Sequence, residues 1–397
     1  MSLREAIQTA LEKNPSLQKT EKSIEVAEES LKIAKGNKNF SADASGGANL
    51  SKTEGASSSK GISARISGSI PIYSGNRLES EIKSAELEID AAKLNFSQAR
   101  QDLMYNVATA YVDALETLAE SKVYLETEEN LVEHEKNISA SYDAGATAKI
   151  DLLRAQVETA NASQNTAKSR AAYEVNLTNL ATLMSLETIS NLTVEEFQTF
   201  LDLGDIENYL SLAEENRDDL KADAIKIDQG ELDIEIARSG KRPTLSASIG
   251  AGLNADNGDH WHLTPEASAG ISATWNIFDS GITKAQIKAA EIEVERLRLS
   301  LQNDTNSVHE EVITAYKNLK IALMRIRTTQ RAVDLAEEER FIATEKYRAG
   351  EGILLDVLDA EVALTEAKKN HVSAYHDIMR YRLSLAHAIG DTLSVVQ

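Results

Sequence analysis

Cysteine is absent from this chain. Within these residues neither a disulfide framework, nor a thiolate metal site, nor a lipidated N-terminal cysteine is expected. Aromatic residues are only 5% of 397 residues, thin for the two or three ordinary cores that such a length could hold. Basic residues are in the minority, 42 Lys and Arg against 63 Asp and Glu, and the net charge is −21. Nucleic-acid phosphates would be repelled, so no nucleic-acid partner is expected. A solvated surface or a cation-attracting conduit is compatible with that charge. No run of about 18 uninterrupted apolar residues occurs, so no transmembrane helix is expected. The opening Met1-Ser2-Leu3-Arg4-Glu5 has no apolar signal region, so an exported protein would be expected here in its mature form with a start codon restored.

The patterns of chemistry are missing too. The seven histidines form no metal-ligand motif. His260-Trp261-His262 falls in a surface loop, and His371 and His376 are five apart, on different faces of a helix. Asp256-Asn257-Gly258-Asp259 lacks the remaining ligands of a calcium loop. No nucleophile stands beside a base. Neither enzymatic activity, nor a metal, nor a cofactor is expected.

What the chain does contain, it contains twice. Tyr142-Asp-Ala-Gly-Ala-Thr-Ala-Lys-Ile-Asp151 returns as Tyr347-Arg-Ala-Gly-Glu-Gly-Ile-Leu-Leu-Asp356, an offset of 347 − 142 = 205. The offset persists elsewhere: Ile82-Lys83 matches Ile287-Lys288, Thr109-Ala110-Tyr111 matches Thr314-Ala315-Tyr316, and Asn165 matches Asn370. This is an internal duplication. The expected repeats are 1–190 and 206–397, joined by a polar linker at 191–205.

In each copy the hydrophobic period changes in the same order. Residues 3–35 have helical spacing, interrupted at Asn14-Pro15 because proline disfavours helix for the residue before it. About 40–51 and 61–73 then alternate with period two, as two strands around a polar loop, Lys52–Lys60. From Gly75-Asn76 the helical period resumes as an alanine-rich heptad seam. It runs to about Ser141, and about 65 residues at 1.5 Å per residue make a helix of about 100 Å. A turn at 142–148 leads to a second long helix, about 149–186. Copy two predicts a helix at about 206–239 with Asn216–Leu220 at the break, and strands at about 243–254 and 263–278 around the loop Ala255–His262. A long helix from Ser280-Gly281, a turn at 347–352 and a last helix ending near Gly390 complete it.

Four strands per chain cannot close a barrel. Their faces alternate apolar residues with Ser, Gly, Asn and Thr, the pattern of a lipid-facing barrel wall. Such a sheet must be closed, because hydrocarbon offers no hydrogen bonds to an edge. Three chains supply twelve strands and leave a water-sized lumen. Tyr73 and Trp275 fall near one end of their strands, where interfacial aromatics belong.

With the duplication, the paired strands inside long helices and the Gly-x-x-x-x-x-Asp-x-x-Asp tip of 350–359, the chain resembles TolC-type outer-membrane efflux proteins over essentially its whole length. The resemblance implies an α+β membrane protein, in which an antiparallel helical tunnel joins a twelve-stranded barrel shared by a homotrimer. It implies a passive exit duct of tripartite efflux or type I secretion. That duct would sit in the bacterial outer membrane and its lipid, with the helical part in the periplasm. It would dock an inner-membrane pump through a periplasmic adaptor. By the same resemblance Asp356, Asp359 and Asp151 are gate carboxylates, and Gly145 and Gly350, with Ala146 and Glu351, form the docking tip. One position departs: the family's tip arginine falls at Gly352, so Tyr347, Arg348 and Lys149 are the candidates for a tip latch. Physically, the three aspartates also suit helix N-terminal turns, where carboxylates meet the positive end of the dipole. The glycines are first of all turn residues. The competing class is a soluble or periplasmic coiled-coil scaffold or adaptor. It would explain the heptads but not the four alternating strands.

Overall fold

The computed structural model describes residues 1–51, 59–189, 191–193, 203–257 and 261–392. The chain runs α1 (Leu3–Lys13), α2 (Pro15–Gly36), β1 (Ser41–Ser51), β2 (Ser59–Tyr73), α3 (Arg77–Asp143) and α4 (Lys149–Leu183). It then runs α5 (Ile206–Asn216), α6 (Asp218–Ser239), β3 (Thr244–Asn257), β4 (Trp261–Thr274), α7 (Ile282–Arg348) and α8 (Leu354–Ala388). The second six elements follow the order of the first six, with helices of 11, 22, 67 and 35 residues in each half. The spacing between corresponding starts is 206 − 3 = 203 for α1 and α5, and 282 − 77 = 205 for α3 and α7. The halves therefore differ by two residues, between the starts of α2 and α3. Among the described residues no helix is long and apolar enough to cross a membrane. Most of the polar join, and His260 and Asp259 with it, lie outside the described residues.

Two compact units form, and each draws on both halves. One holds 1–19, 96–218 and 305–397; the other holds 20–95 and 219–304. The first unit has a core built by α1, α3, α4 and α8. Leu3, Ile7 and Ala10 pack with Met104, Val107 and Tyr111, and with Leu180 and Leu383. The Tyr111 hydroxyl donates to the carbonyls of Met1 (3.1 Å) and Thr193 (2.6 Å), so a fully buried ring keeps its polar tip satisfied. The break between α1 and α2 falls where Asn14-Pro15 predicts it. The Asn14 side-chain oxygen accepts from the N–H groups of Ser16 (2.9 Å) and Leu17 (3.1 Å), capping α2, while its amide donates to the Leu183 carbonyl (2.9 Å). The same interruption recurs at Arg217.

In the second unit the strands make one antiparallel sheet in the order β1-β2-β3-β4. One face carries Leu50, Ile62, Ile66, Ile249, Leu253 and Ile271, all exposed; Leu50 and Ile271 are each 72% exposed. The other face carries Ser, Gly, Asn, Thr and a few charged residues. β4 ends at Thr274, four residues before its alternation predicts. Thr274 pairs with Thr244, the first residue of β3, and beyond it Pro243 has no N–H to donate. Ile277 and Phe278 are left more than 80% exposed, and the Trp275 indole donates to the Lys241 carbonyl (3.0 Å). Each hairpin turns into its long helix through two consecutive left-handed residues, Gly75-Asn76 (φ 68°, 72°) and Ser280-Gly281 (φ 55°, 87°). Side-chain caps complete those turns. Ser74 accepts from Leu78 N–H (3.1 Å), and Asp279 accepts from Gly281 (3.0 Å) and Thr283 (2.8 Å).

Candidate functional site: the two helical tips

The turn between α3 and α4 is a helix C-cap followed at once by a helix N-terminus. Gly145 has φ +74°, the Gly145 N–H donates to the Tyr142 carbonyl (2.9 Å), and the Ala146 N–H reaches back to the Ser141 carbonyl (2.8 Å). The turn between α7 and α8 repeats the pattern. Gly350 has φ +78°, its N–H meets the Tyr347 carbonyl (3.1 Å), and Glu351 N–H meets the Lys346 carbonyl (2.9 Å). This pair of bonds closes the last carbonyls of a helix around one left-handed residue, which only glycine adopts without strain. A Cβ at either glycine would meet nothing within 4 Å, so the backbone conformation, not space, requires glycine here. Gly145, Ala146, Gly350 and Glu351 are all exposed.

Behind the turns one apolar cluster joins the two tips. Ile138, Ala155, Leu354 and Leu358 are buried together, with Leu131, Leu152 and Tyr347 packed against them. Asp151 and Asp356 occupy the third positions of α4 and α8, each in a first turn without a side-chain cap. Asp356 and Asp359 are exposed and Asp151 is half-buried. Among the described residues none of the three carboxylates has an ion-pair partner. The structure brings all three to one end of the first unit, on helices whose first turns share a core.

The latch candidates are placed differently. Arg348 is ion-paired with Glu345 of its own helix (2.8 Å). Tyr347 lies against His134 of α3, ring centroids 5.7 Å apart. Lys149 is exposed and, among the described residues, has no ion pair. His134 is a residue that periodicity missed. Burial holds its imidazole below the usual histidine range, and its Nε2 is buried without a hydrogen-bond partner. Glu361 was missed as well: it is buried, accepting from the Asn130 amide (3.1 Å) and facing Arg340 (3.5 Å). Its spacing from Asp356 would place it only on an α8 face; the partners come from α3 and α7.

Beside the carboxylates runs an apolar groove of about 410 Å³ between α4 and α8. Ile150, Leu153 and Val157 line it from α4, Leu355, Leu358 and Val362 from α8, with Asp359 and Arg154 at its edge. Chemically the tips offer uncompensated carboxylates, a solvent-facing apolar stripe and two rigid glycine turns. Such a set is suited to attracting cations and to receiving a partner.

The sequence profile of the family described as outer membrane efflux protein matches residues 6–185 and 209–391. The chain is similar to the outer membrane protein TolC of Escherichia coli (strain K12), 23% identical over 312 residues, covering 75% of this chain and 63% of that protein. It is similar to the outer membrane efflux protein BepC of Brucella suis, 20% identical over 400 residues, covering 98% of this chain and 85% of that protein. Among solved structures it matches the outer-membrane channel OprN at a TM-score of 0.83 and 20% identity, covering 98% of this chain and 90% of that one. The outer membrane channel CmeC of Campylobacter jejuni matches at 0.84 and 18%, covering 98% and 86%. The chain spans less than two thirds of the length of the TolC proteins of Salmonella enteritidis and Escherichia coli, 62% and 63%.

Proposed function

The chain belongs to the outer membrane efflux protein family, and from that premise we propose that three copies form an outer-membrane channel, the passive exit duct of a tripartite efflux or type I secretion system. The observation that carries this reading is the sheet. It has four strands, its outermost strands β1 and β4 each have a free edge among the described residues, and its apolar face is uncovered. An open apolar sheet of this kind is stable in lipid only when closed. Three copies closing β4 onto β1 supply twelve strands, with the Ser- and Gly-rich face inward as a wet lumen.

The tips take their roles within that reading. Asp356 and Asp359, with Asp151 near them, form the narrow carboxylate ring of a periplasmic gate. Threefold symmetry gathers like charges that have no counter-ion among the described residues, which favours cations. Gly145, Ala146, Gly350 and Glu351 form the surface that meets a periplasmic adaptor and, through it, an inner-membrane pump. Arg348 serves as a latch only by exchanging Glu345 for a carboxylate elsewhere, and Lys149, without an ion pair among the described residues, is a second candidate cation of the tips. The two halves of the chain, 1–190 and 206–397, are duplicated repeats joined at 191–205; their matching helix lengths support this. The protein performs no catalysis in this reading.

The assembly is tested by native mass spectrometry and electron microscopy of detergent-solubilised protein. A homotrimer with one shared barrel is expected; a monomer, or a trimer that stays dispersed without detergent, overturns the reading.

A further inference from the structure

On the polar face of the sheet one rung differs from all the others. Arg65 of β2 lies opposite Gly252 of β3, and Gly252 lies opposite Glu266 of β4. The Arg65 guanidinium reaches over Gly252 to the Glu266 carboxylate at 3.0 Å. The pair thus spans two strand spacings, about 9.5 Å of wall. The residue crossed is a glycine, and a Cβ at 252 would stand 3.1 Å from the Ala64 carbonyl oxygen and 3.6 Å from Arg65 Cβ. Both charged side chains remain about half exposed, 54% and 46%. Arg65 is the one lysine or arginine on this face among the described residues; Lys60 lies on the opposite parity of β2. Asp43, on the adjacent rung, and Asp256 are the face's other carboxylates.

We propose that Arg65 is the charge-selecting residue of the barrel lumen, held flat against the wall by Glu266 and available to carboxylate- or phosphate-bearing solutes that displace it. The inference rests on the closed-barrel reading given above, in which the rung becomes a ring of three such pairs midway along the strands. A solvated ion pair of this kind is weak and exchangeable. An anionic solute passing the rung competes with Glu266 for a planar, bidentate donor. A cationic solute meets instead the carboxylates above and below. Removing Glu266 leaves three unpaired guanidinium groups in an otherwise acidic or neutral wall; removing Arg65 leaves carboxylates that face no lysine or arginine among the described residues.

The absence of native cysteine allows a direct reading of local charge. Ser63→Cys, on the polar face two residues from Arg65, is labelled in lipid vesicles with an anionic and a cationic methanethiosulfonate, and the ratio of rates is recorded. Glu266→Gln should raise the anionic-to-cationic ratio about fivefold, and Arg65→Gln should lower it by a similar factor, the scale set by one charge at about 7 Å in water. Arg65→Lys keeps the charge and should leave the ratio near that of the parent, which separates charge from misfolding. Unchanged ratios in both neutral variants overturn the proposal alone, provided Ile66→Cys on the apolar face stays protected. If Ile66→Cys is labelled as fast as Ser63→Cys by both charged reagents, there is no lumen, and the barrel reading and the proposal fall together.

Discussion

The two tips share a backbone and differ in almost everything attached to it. At an offset of 205, Gly145 matches Gly350 and Asp151 matches Asp356, and the turn hydrogen bonds are the same. Around them Asp143 corresponds to Arg348, Ala146 to Glu351, Lys149 to Leu354 and Arg154 to Asp359. The last turn of α7 carries Lys346 and Arg348, whereas that of α3 has no basic residue. Past the turn, α4 opens with Asp151 and an arginine three residues on, whereas α8 opens with two aspartates three apart. Burial diverges as well. α8 buries a long continuous face that includes Leu354, Leu358, Leu364, Ile378 and Leu383, while α4 buries mainly alanine, threonine and serine. The turn, which backbone geometry dictates, is therefore the same at both tips, while the side chains around it differ. α8 brings large apolar side chains to the packing, whereas α4 brings mostly small ones.

The largest expected effect tests what the tips share. Gly145→Trp and Gly350→Trp each put a bulky L-residue at φ above +70° on an exposed turn. Each should abolish efflux, read as drug sensitivity of cells, while trimer and barrel survive. If one substitution is tolerated and the other is not, docking belongs to one tip only.

Next in size is the charge difference. Asp356→Asn with Asp359→Asn should remove block by a trivalent cation added on the tip side of a planar bilayer, whereas Asp151→Asn should weaken it only slightly. If the carboxylates served merely the helix dipole, neutralising them would cost about 0.3–1 kcal/mol of stability and leave permeation alone. Equal block in the double variant and the parent would remove these residues from the constriction.

The packing difference predicts a smaller effect. Leu358 is 6% exposed in the tip cluster, and its counterpart Leu153 is 47% exposed. Leu358→Ala should cost about 2–4 kcal/mol by transfer and cavity formation together. Leu153→Ala should cost less than about 1 kcal/mol. Hydrogen exchange at the tip amides reads both. A large cost at Leu153 would show that the assembled protein covers the α4–α8 groove.

The same contrast marks what was legible beforehand. Periodicity found every helix and strand, and Asn14-Pro15 located a break, because those signals are local. The overshoot at Trp275–Phe278 has the opposite origin: the alternation continues, but the partner strand has ended at Thr244, and pairing is not local. His134 against Tyr347, Arg65 against Glu266, and Arg380 of α8 against Asp113 of α3 (2.7 Å) each join residues more than 200 positions apart. A period in the sequence carries no trace of them. The aspartates were legible as residues, because the repeat pointed at them. Their lack of counter-ions was not, since it depends on what α3 and α7 bring near.

The smallest effect distinguishes the halves at the far ends of α4 and α8. Thr182 of the first copy only returns its hydroxyl to the Thr178 carbonyl (2.9 Å). Its counterpart His387 is 16% exposed, stacks on Tyr105 at 4.5 Å, and pairs with Asp102 (2.8 Å) and Glu311 (3.5 Å). Burial alone would lower the affinity of this imidazole for a proton, but the two carboxylates outweigh it and push its pKa up to about 9. Glu311 responds in the opposite sense. Its bond to His387 outweighs burial, and with help from Arg217 its carboxyl is held below the usual range. Because the folded pKa of His387 is raised, the folded state binds the proton more tightly than the unfolded chain does. That contribution is fully present below about pH 6.5 and is lost as pH rises through about 9, with an upper bound of about 3 kcal/mol. The thermal midpoint of the wild type should therefore fall more between pH 6 and pH 10 than that of His387→Gln, which cannot titrate. Arg217 keeps its own bond to Glu311 (2.9 Å) at both pH values, so the junction should loosen rather than unfold. Parallel decline of the two proteins would assign the alkaline loss to another group.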